Sequence, residues 1–429
     1  MSEFNGIIVN LERTSARVDY LFHWLLNDFT EWRYSLSGEK FTNPEKVLNY
    51  SPVNVPGALN IIPTEWMFEE QVRMPKYQWA EDTYPRLLLE DKESFDAISA
   101  IFFMISRVEE YTPSLIDLHG RYPSTAATNR QYLLLPLADL WRQEIHHLLG
   151  INSIRRKNSV HFSFDIDSAY AYKHKGFMRT TGAICRDFIS FKYRHLAERI
   201  LCITGIAKDP FDTYDYIIKE CQTRAIELSW FFLLSNRTFE NNNIRHTSKG
   251  LRKLITRLAS KYTVGIHPGY DTWRDMRLMQ DEVSRLNEIL SVPVHHSRQH
   301  YLRFALPETY RIVLENGIRN EYSMGYADAP GFRAGTSMPF AWFDMSTNKV
   351  TDLVVHPFCA MDVTFSRYQK ISADETISVL KILIAQIELT RGKFHMLWHN
   401  ETLSNRGNWD GWEKLWCQVL NSLTPSELH

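Results

Sequence analysis

"HFSFDIDSAY", residues His161 to Tyr170, ends an apolar run on two carboxylates, Asp165 and Asp167, with one isoleucine between them. Side chains two apart on a strand point to the same face. His161, Ser163, Asp165 and Asp167 therefore share one face, and Val160, Phe162 and Phe164 share the other. Two like charges converging on one spot are costly unless a cation lies between them. A metal ion meets that need, and so does an arginine.

Working outward from this stretch, short β-rich runs alternate with helical stretches. The strands fall at 159–165, 226–234, 262–267, 293–298, 319–323, 352–356 and 394–399. Helices are expected between them at 211–223, 249–260, 274–290, 307–316 and 373–390, with a last one at 410–420. Strand then helix, repeated, indicates a parallel sheet or a β/α barrel. Segment 171–210 and the Asn-rich loop "NRTFENNNIRHTS" interrupt the alternation and look like insertions. Before "INSIRRKNS" the pattern differs: "SARVDYLFHWLLNDF" and "SFDAISAIFFMISRVEEY" have the apolar spacing of amphipathic helices, the second capped by Ser94. A third helix is expected near Leu137–Leu149. Two domains are therefore expected, an α+β unit over 1–155 and a larger α/β unit over 156–429. Glu109, Glu110, His119 and Arg121 in the first unit read as a polar turn with surface charges.

Composition narrows the function classes. The formal net charge of -1 supplies no field for nucleic acid. The one basic run, Arg155, Arg156 and Lys157, is too short to make a stripe. Cys185, Cys202, Cys221, Cys359 and Cys417 are scattered, odd in number and without a CxxC pair, which reads as reduced thiols in a reducing, cytoplasmic compartment. The first residues interleave charges with their apolar stretch, unlike a secretory signal, and the longest apolar runs are too short for a transmembrane segment.

In β/α barrels the chemistry gathers at the C-terminal ends of the strands. Here those ends and the loops after them offer Asp165 and Asp167, His267, Arg298 and His300, Asp328 and Arg333, His356 and Asp362, and His399. One carboxylate with two imidazoles is a ligand set for zinc or a similar divalent ion, with a position left open. A second carboxylate beside it can serve as general base, an arginine can hold that base, and a histidine opposite can protonate a leaving amine. That is a plan for metal-assisted hydrolysis of an amide or ester.

Over roughly residues 158–425 these motifs resemble the polysaccharide deacetylase family, carbohydrate esterase family four, whose fold is a distorted seven-stranded β/α barrel. "SFDID" resembles the family's opening acidic motif, which implies Asp165 as general base and Asp167 as metal ligand. "GIHPGYD" stands where the family has its metal motif, which implies His267 as ligand. "SRQHYLRF" stands at the arginine motif, implying that Arg298 orients the base. "LWHN" resembles the closing motif, implying His399 as general acid, with Asp362 or Asp328 supporting it. The family's second metal histidine, four residues after the first, is Asp271 here. The third ligand is then Asp271 or, as expected here, His300, which shares a strand face with Arg298. "SMGYADAPGFRAGTSMPF" resembles a subgroup with an extra N-terminal domain.

The resemblance implies a zinc-dependent hydrolase that removes an acetyl group from an N-acetylated carbohydrate or glycan precursor. A deformylase or other C–N hydrolase, and a catalytically inactive glycan-binding or scaffold protein on the same barrel, remain the alternatives.

Overall fold

The computed structural model describes residues 6–27, 31–36, 41–91, 93–151 and 158–423. The expected boundary at 155/156 and the basic run Arg155 to Lys157 lie outside the described residues.

The N-terminal part builds a parallel sheet from β1 (Ile7–Leu11), β2 (Trp32–Leu36), β3 (Val47–Tyr50) and β4 (Leu59–Ile61), in the order β2-β1-β3-β4. An antiparallel ribbon, β5 (Tyr77–Ala80) and β6 (Arg86–Leu89), follows. Helix Ala16–Leu26 is capped by Ser15, whose side chain accepts from the Val18 N–H. Helix Ala97–Ser106 is capped by Asp96 and not by Ser94: Asp96 Oδ1 accepts from the N–H groups of Ile98 and Ser99 at 3.1 Å. Its other oxygen accepts from Tyr50 Oη at 2.9 Å, so the cap also ties the helix to β3. The expected amphipathic face is absent because every residue of this helix is buried. Apolar all round, it packs as an interior helix.

The remainder is built on β7 (Ser159–Ile166), β8 (Glu227–Leu233), β9 (Thr263–His267), β10 (His296–Ser297), β11 (Asn320–Glu321), β12 (Phe340–Asp344), β13 (Lys349–Val355), β14 (Ala360–Met361) and β15 (Lys393–His399). They form one sheet of nine strands, in the order β12-β13-β11-β10-β9-β8-β7-β15-β14. The seven expected strands are contiguous in its middle, and all are parallel. Helices between them fall close to expectation, as at Lys249–Ala259, Met276–Leu290 and Ala373–Thr390.

The expected seven-stranded barrel is corrected in one respect: among the described residues the sheet does not close. β12 pairs antiparallel with β13 and occupies the edge that closure would need, while β14 ends the other side after two residues. The N-terminal part explains why β12 is there. Tyr20 and Phe102 pack on Phe343 with ring centroids 5.2 Å apart, and Tyr20 Oη donates to the Ala341 carbonyl at 2.7 Å. One hydrophobic cluster consequently runs through both parts, from Val9, Leu21 and Trp141 to Phe162, Trp230 and Trp416.

The charges expected on a surface turn are also corrected. Glu109, Glu110 and Arg121 are buried. Glu110 accepts from Arg107 Nε at 2.7 Å and from Arg333 Nε at 2.9 Å. Glu109 accepts from Tyr122 Oη and from the Thr128 N–H. A buried charge is tolerated when it is paired and hydrogen-bonded, and here the partners come from both parts of the chain.

Candidate active site

β7 brings Asp165 and Asp167 to one place. Both reach His267 at the tip of β9: its Nε2 lies 3.7 Å from Asp165 Oδ2 and 3.4 Å from Asp167 Oδ1. His267 Nδ1 donates to the Arg298 carbonyl at 2.5 Å, which turns Nε2 toward the acids. His300 Nε2 lies 3.6 Å from Asp167 Oδ1. Asn241 Oδ1 accepts from the Tyr270 N–H, so it is the acceptor for His300 Nδ1 too, at 3.0 Å. Both imidazoles thus keep Nδ1 as donor and present Nε2, the arrangement second-shell acceptors impose on metal-ligating histidines.

The ligand atoms of Asp167, His267 and His300 all lie within 4.8 Å of one another. Asp167 Oδ1 is buried and no hydrogen-bond donor reaches it. A buried carboxylate oxygen without a donor, between two oriented Nε2 atoms, fits a divalent cation. Electrostatics agree. Burial pushes the Asp167 carboxyl up, but His300 and His267 together hold it well below the usual carboxylate range. Burial pushes His267 down, yet Asp165 and then Asp167 leave it above the ordinary imidazole value. Burial takes His300 below that value.

His300 does not come from a strand, as expected. β10 ends at Ser297, and His300 opens the turn His300–Leu302, in which Tyr301 and Leu302 take left-handed backbone, φ 60° and 54°. Non-glycine residues adopt that region rarely and at a cost. The turn is held from the N-terminal part. Arg121 Nη1 donates to the Tyr301 carbonyl at 2.8 Å, and Arg303 Nε donates to the His119 carbonyl at 2.7 Å.

Arg298 is fully buried. Its Nη1 faces Asp165 Oδ1 at 3.3 Å, its Nε donates to the Tyr322 carbonyl at 3.0 Å, and its guanidinium lies 4.8 Å from the Phe231 ring centroid. So fixed, it faces Asp165, and its Nη2 meets His395 Nε2 at 3.3 Å. On the neighbouring strand, β15 places His399 in register with Asp165. Asp362 Oδ1 accepts from His399 Nδ1 at 2.8 Å, and its Oδ2 accepts from the His399 N–H at 2.8 Å and from Thr402 Oγ1. Burial opposes a charge on His399, but Asp362, with Asp167 and Asp165 beyond it, pushes the imidazole up to about 10. His399 therefore holds a proton at neutral pH, with Nε2 as the free nitrogen.

Asp165, Asp167, His267, His300 and His399 line one cleft of about 1200 Å³ including its open mouth, together with Arg121, Phe239, Tyr301, Arg367, Tyr368 and Glu401. Glu401 is pushed above its ordinary value by burial and then by Asp167.

Asp165, Asp167, His267, Arg298, His300 and His399 are brought together. Asp271 is not: its side chain is 59% exposed and faces Arg303 at 3.5 Å. Asp328 is not the support of His399, since it accepts from Ser124 Oγ at 2.7 Å. Arg333 is taken by Glu110, and His356 Nε2 bonds Asn320 Oδ1 at 2.9 Å beneath the cleft's walls. Asn241, Arg121, Tyr301 and Glu401 were not legible. Asn241 sits in the Asn-rich stretch, where no periodicity separates it from Asn242 and Asn243.

A family model described as "Family of unknown function (DUF7033)" matches residues 7–152. A comparison with curated proteins finds no match. Among solved structures, the chain is similar to a candidate polysaccharide deacetylase from Mycobacterium smegmatis, at 12% identity and a TM-score of 0.39, over 62% of this chain and 84% of that one. It is also similar to a CE4 family pseudoenzyme from Bacillus anthracis, at 8% identity and a TM-score of 0.30, over 64% of this chain and 66% of that one. A mutant of that pseudoenzyme with restored enzymatic activity matches at 10% identity and a TM-score of 0.29, over 64% and 69%. At TM-scores below 0.5 the fold rests on its own strands, and the chemistry on its own side chains.

Proposed function

We propose that this chain is a metal-dependent hydrolase that removes the acetyl group from an N-acetylated sugar or glycan precursor. The observation that supports it most is a three-residue ligand cluster flanked on one side by an arginine-held carboxylate and on the other by a carboxylate-held imidazole. Asp167, His267 and His300 would hold the ion, and zinc suits a donor set of two imidazoles and one carboxylate. When bound, such an ion supplies Lewis acidity toward a carbonyl and makes water more acidic.

The chain's own groups divide the proton work. Asp165, kept in place by Arg298, is the general base that takes a proton from water. His399, protonated and held by Asp362, is the general acid that delivers a proton from Nε2 to the departing nitrogen. An amine leaves poorly without that proton. Phe239, Tyr301 and Tyr368 on the cleft give apolar ring surface on which a sugar can lie. We read the compartment as cytoplasmic, on the strength of five cysteines that all stay free.

Purified protein loaded with zinc and assayed on N-acetylated oligosaccharides tests the reading. Asp165→Asn should retain the metal and lose roughly two to four orders of magnitude in rate. Zinc binding without any amide hydrolysis in the unsubstituted protein would instead indicate a binding protein.

A further inference from the structure

Segment 171–210 forms two helices, Phe177–Ile189 and Tyr193–Ile203, and turns the usual amphipathic order inside out. Its outward stripe is apolar: Phe177, Met178, Phe188, Ile189, Phe191 and Tyr193 are 54% to 85% exposed. Ile200, Ile203 and Ile206 continue it. One buried ion pair lies on the inward face, between Asp187 and Arg199. Arg199 is buried and donates to Asp187 from Nε and Nη2.

Lys175, Arg179, Arg186, Arg199 and Arg237, from this segment and the loop after β8, line a second pocket of about 850 Å³ including its open mouth. Asp187 answers Arg199 and, at 3.6 Å, Arg186. Among the described residues no carboxylate pairs with Lys175, Arg179 or Arg237. Burial, and then the charge of Arg179, pull the Lys175 amine down to about 8. Cations crowded this way favour an anion between them.

The pocket neighbours the proposed catalytic cleft. Asn242 lines both, and its Oδ1 accepts from Arg179 Nη2 at 2.7 Å. An anion in this pocket and a group in the cleft are thus within the span of one ligand, with an apolar helical face on the outer side. A hydrocarbon chain, a phosphate and a sugar, joined in that order, match these three surfaces.

We propose that the basic pocket binds the phosphate or diphosphate of a lipid-linked sugar, and that the exposed stripe of 177–206 rests in the lipid surface bearing it. The sugar end rests on the deacetylase reading above; the lipid-phosphate end does not. Amphipathic helices bind interfaces through such apolar faces, and cations nearby add attraction to anionic lipid.

Flotation with phosphatidylcholine vesicles, plain or containing a polyprenyl phosphate, tests the lipid-phosphate end without turnover. The full chain should float with the polyprenyl phosphate vesicles and not with plain ones. Arg186→Glu with Arg237→Glu, both at exposed positions, should weaken this by at least about tenfold. Phe188→Asp with Phe191→Asp should abolish it, with circular dichroism confirming the fold. Equal flotation with phosphatidylglycerol vesicles would overturn the proposal in favour of a general anionic surface. Competition by inorganic diphosphate in solution, with no dependence on vesicles, would overturn it in favour of a soluble phosphate ligand. So would a dimer in sedimentation that Phe188→Asp with Phe191→Asp dissolves, because a second copy would then cover the stripe. Failure to float beside intact hydrolysis of a soluble N-acetylated sugar would sink this proposal alone. Flotation without hydrolysis would sink the deacetylase reading alone.

Discussion

His399 is poised mainly by Asp362, with Asp167 and Asp165 beyond it. Asp362 fixes Nδ1 as donor, and with Asp167 and Asp165 it raises the imidazole to about 10, so in the proposed mechanism the group starts out protonated. The active form is the acid form, so hydrolysis falls as pH rises through this value. A bound divalent cation beside Asp167 opposes the charge and shifts that limb lower. His399→Ala should lose far more rate on an amide than on an activated ester of similar shape, because a good leaving group needs no proton. It should also lose the alkaline limb. Equal loss on both substrates would make His399 a positioning residue.

His267 predicts how a metal ion would enter the proposed site. Held between Asp165 and Asp167, its pKa is raised, so a proton competes for Nε2 more strongly than at an ordinary imidazole. A metal ion must displace it. Zinc affinity should therefore rise with pH until His267 is deprotonated in the free protein, and level off above. Calorimetry in buffers of different ionisation enthalpy should count about one proton released per ion. Affinity independent of pH would show that the site does not hold that proton.

At the scale of elements, the ligand cluster depends on connections more than on strands. β9 presents His267 and Asp167 follows the last residue of β7, but His300 is aimed by two loops. Asn241, from the loop after β8, accepts from His300 Nδ1, and Arg121 braces the left-handed turn at Tyr301. Loss of such an outer-shell acceptor commonly costs about ten- to a hundredfold in metal affinity. Asn241→Ala should weaken zinc by that order while the fold survives, and Asn241→Asp should restore much of it. A competition assay with a zinc chelator reads both. The motif's missing histidine has the same explanation: Asp271 follows the turn after β9 and is carried outward toward Arg303.

At the scale of the whole molecule, the two parts share charge as well as apolar surface. Glu110 sits between Arg107 and Arg333, all three buried. Burial pushes Glu110 up, but Arg333 and Arg107 more than offset it, so its pKa is lowered on folding. A carboxyl with a depressed folded-state pKa contributes stability that is full above its unfolded value and is lost as pH falls through the folded one. Glu110→Ala leaves Arg333 without its carboxylate and should cost roughly 3–5 kcal/mol. Urea unfolding at neutral pH checks the size. The penalty should shrink in acid, where the unsubstituted protein loses the same contribution. Glu110→Leu with Arg333→Met should recover much of the loss, since packing replaces the pair.

Local periodicity in the sequence determined the seven parallel strands and the helices between them. Helix Ala373–Thr390 begins at a Ser372–Glu375 capping box and ends as its pattern does. Alternation along β7 put Asp165 and Asp167 on one face, and spacing along β15 put His395 and His399 on another. Those are properties of a few consecutive residues, so a linear reading reaches them. Tertiary structure decided the rest. The sheet stays open because β12 takes the edge of β13 and the N-terminal part covers it. Glu110 is an interface charge and not a surface one because Arg333, distant in sequence, meets it. His300 joins His267 because a left-handed turn, braced by Arg121 and Asn241, aims it there. Each of these depends on a partner far along the chain, and no local pattern encodes which distant group will arrive.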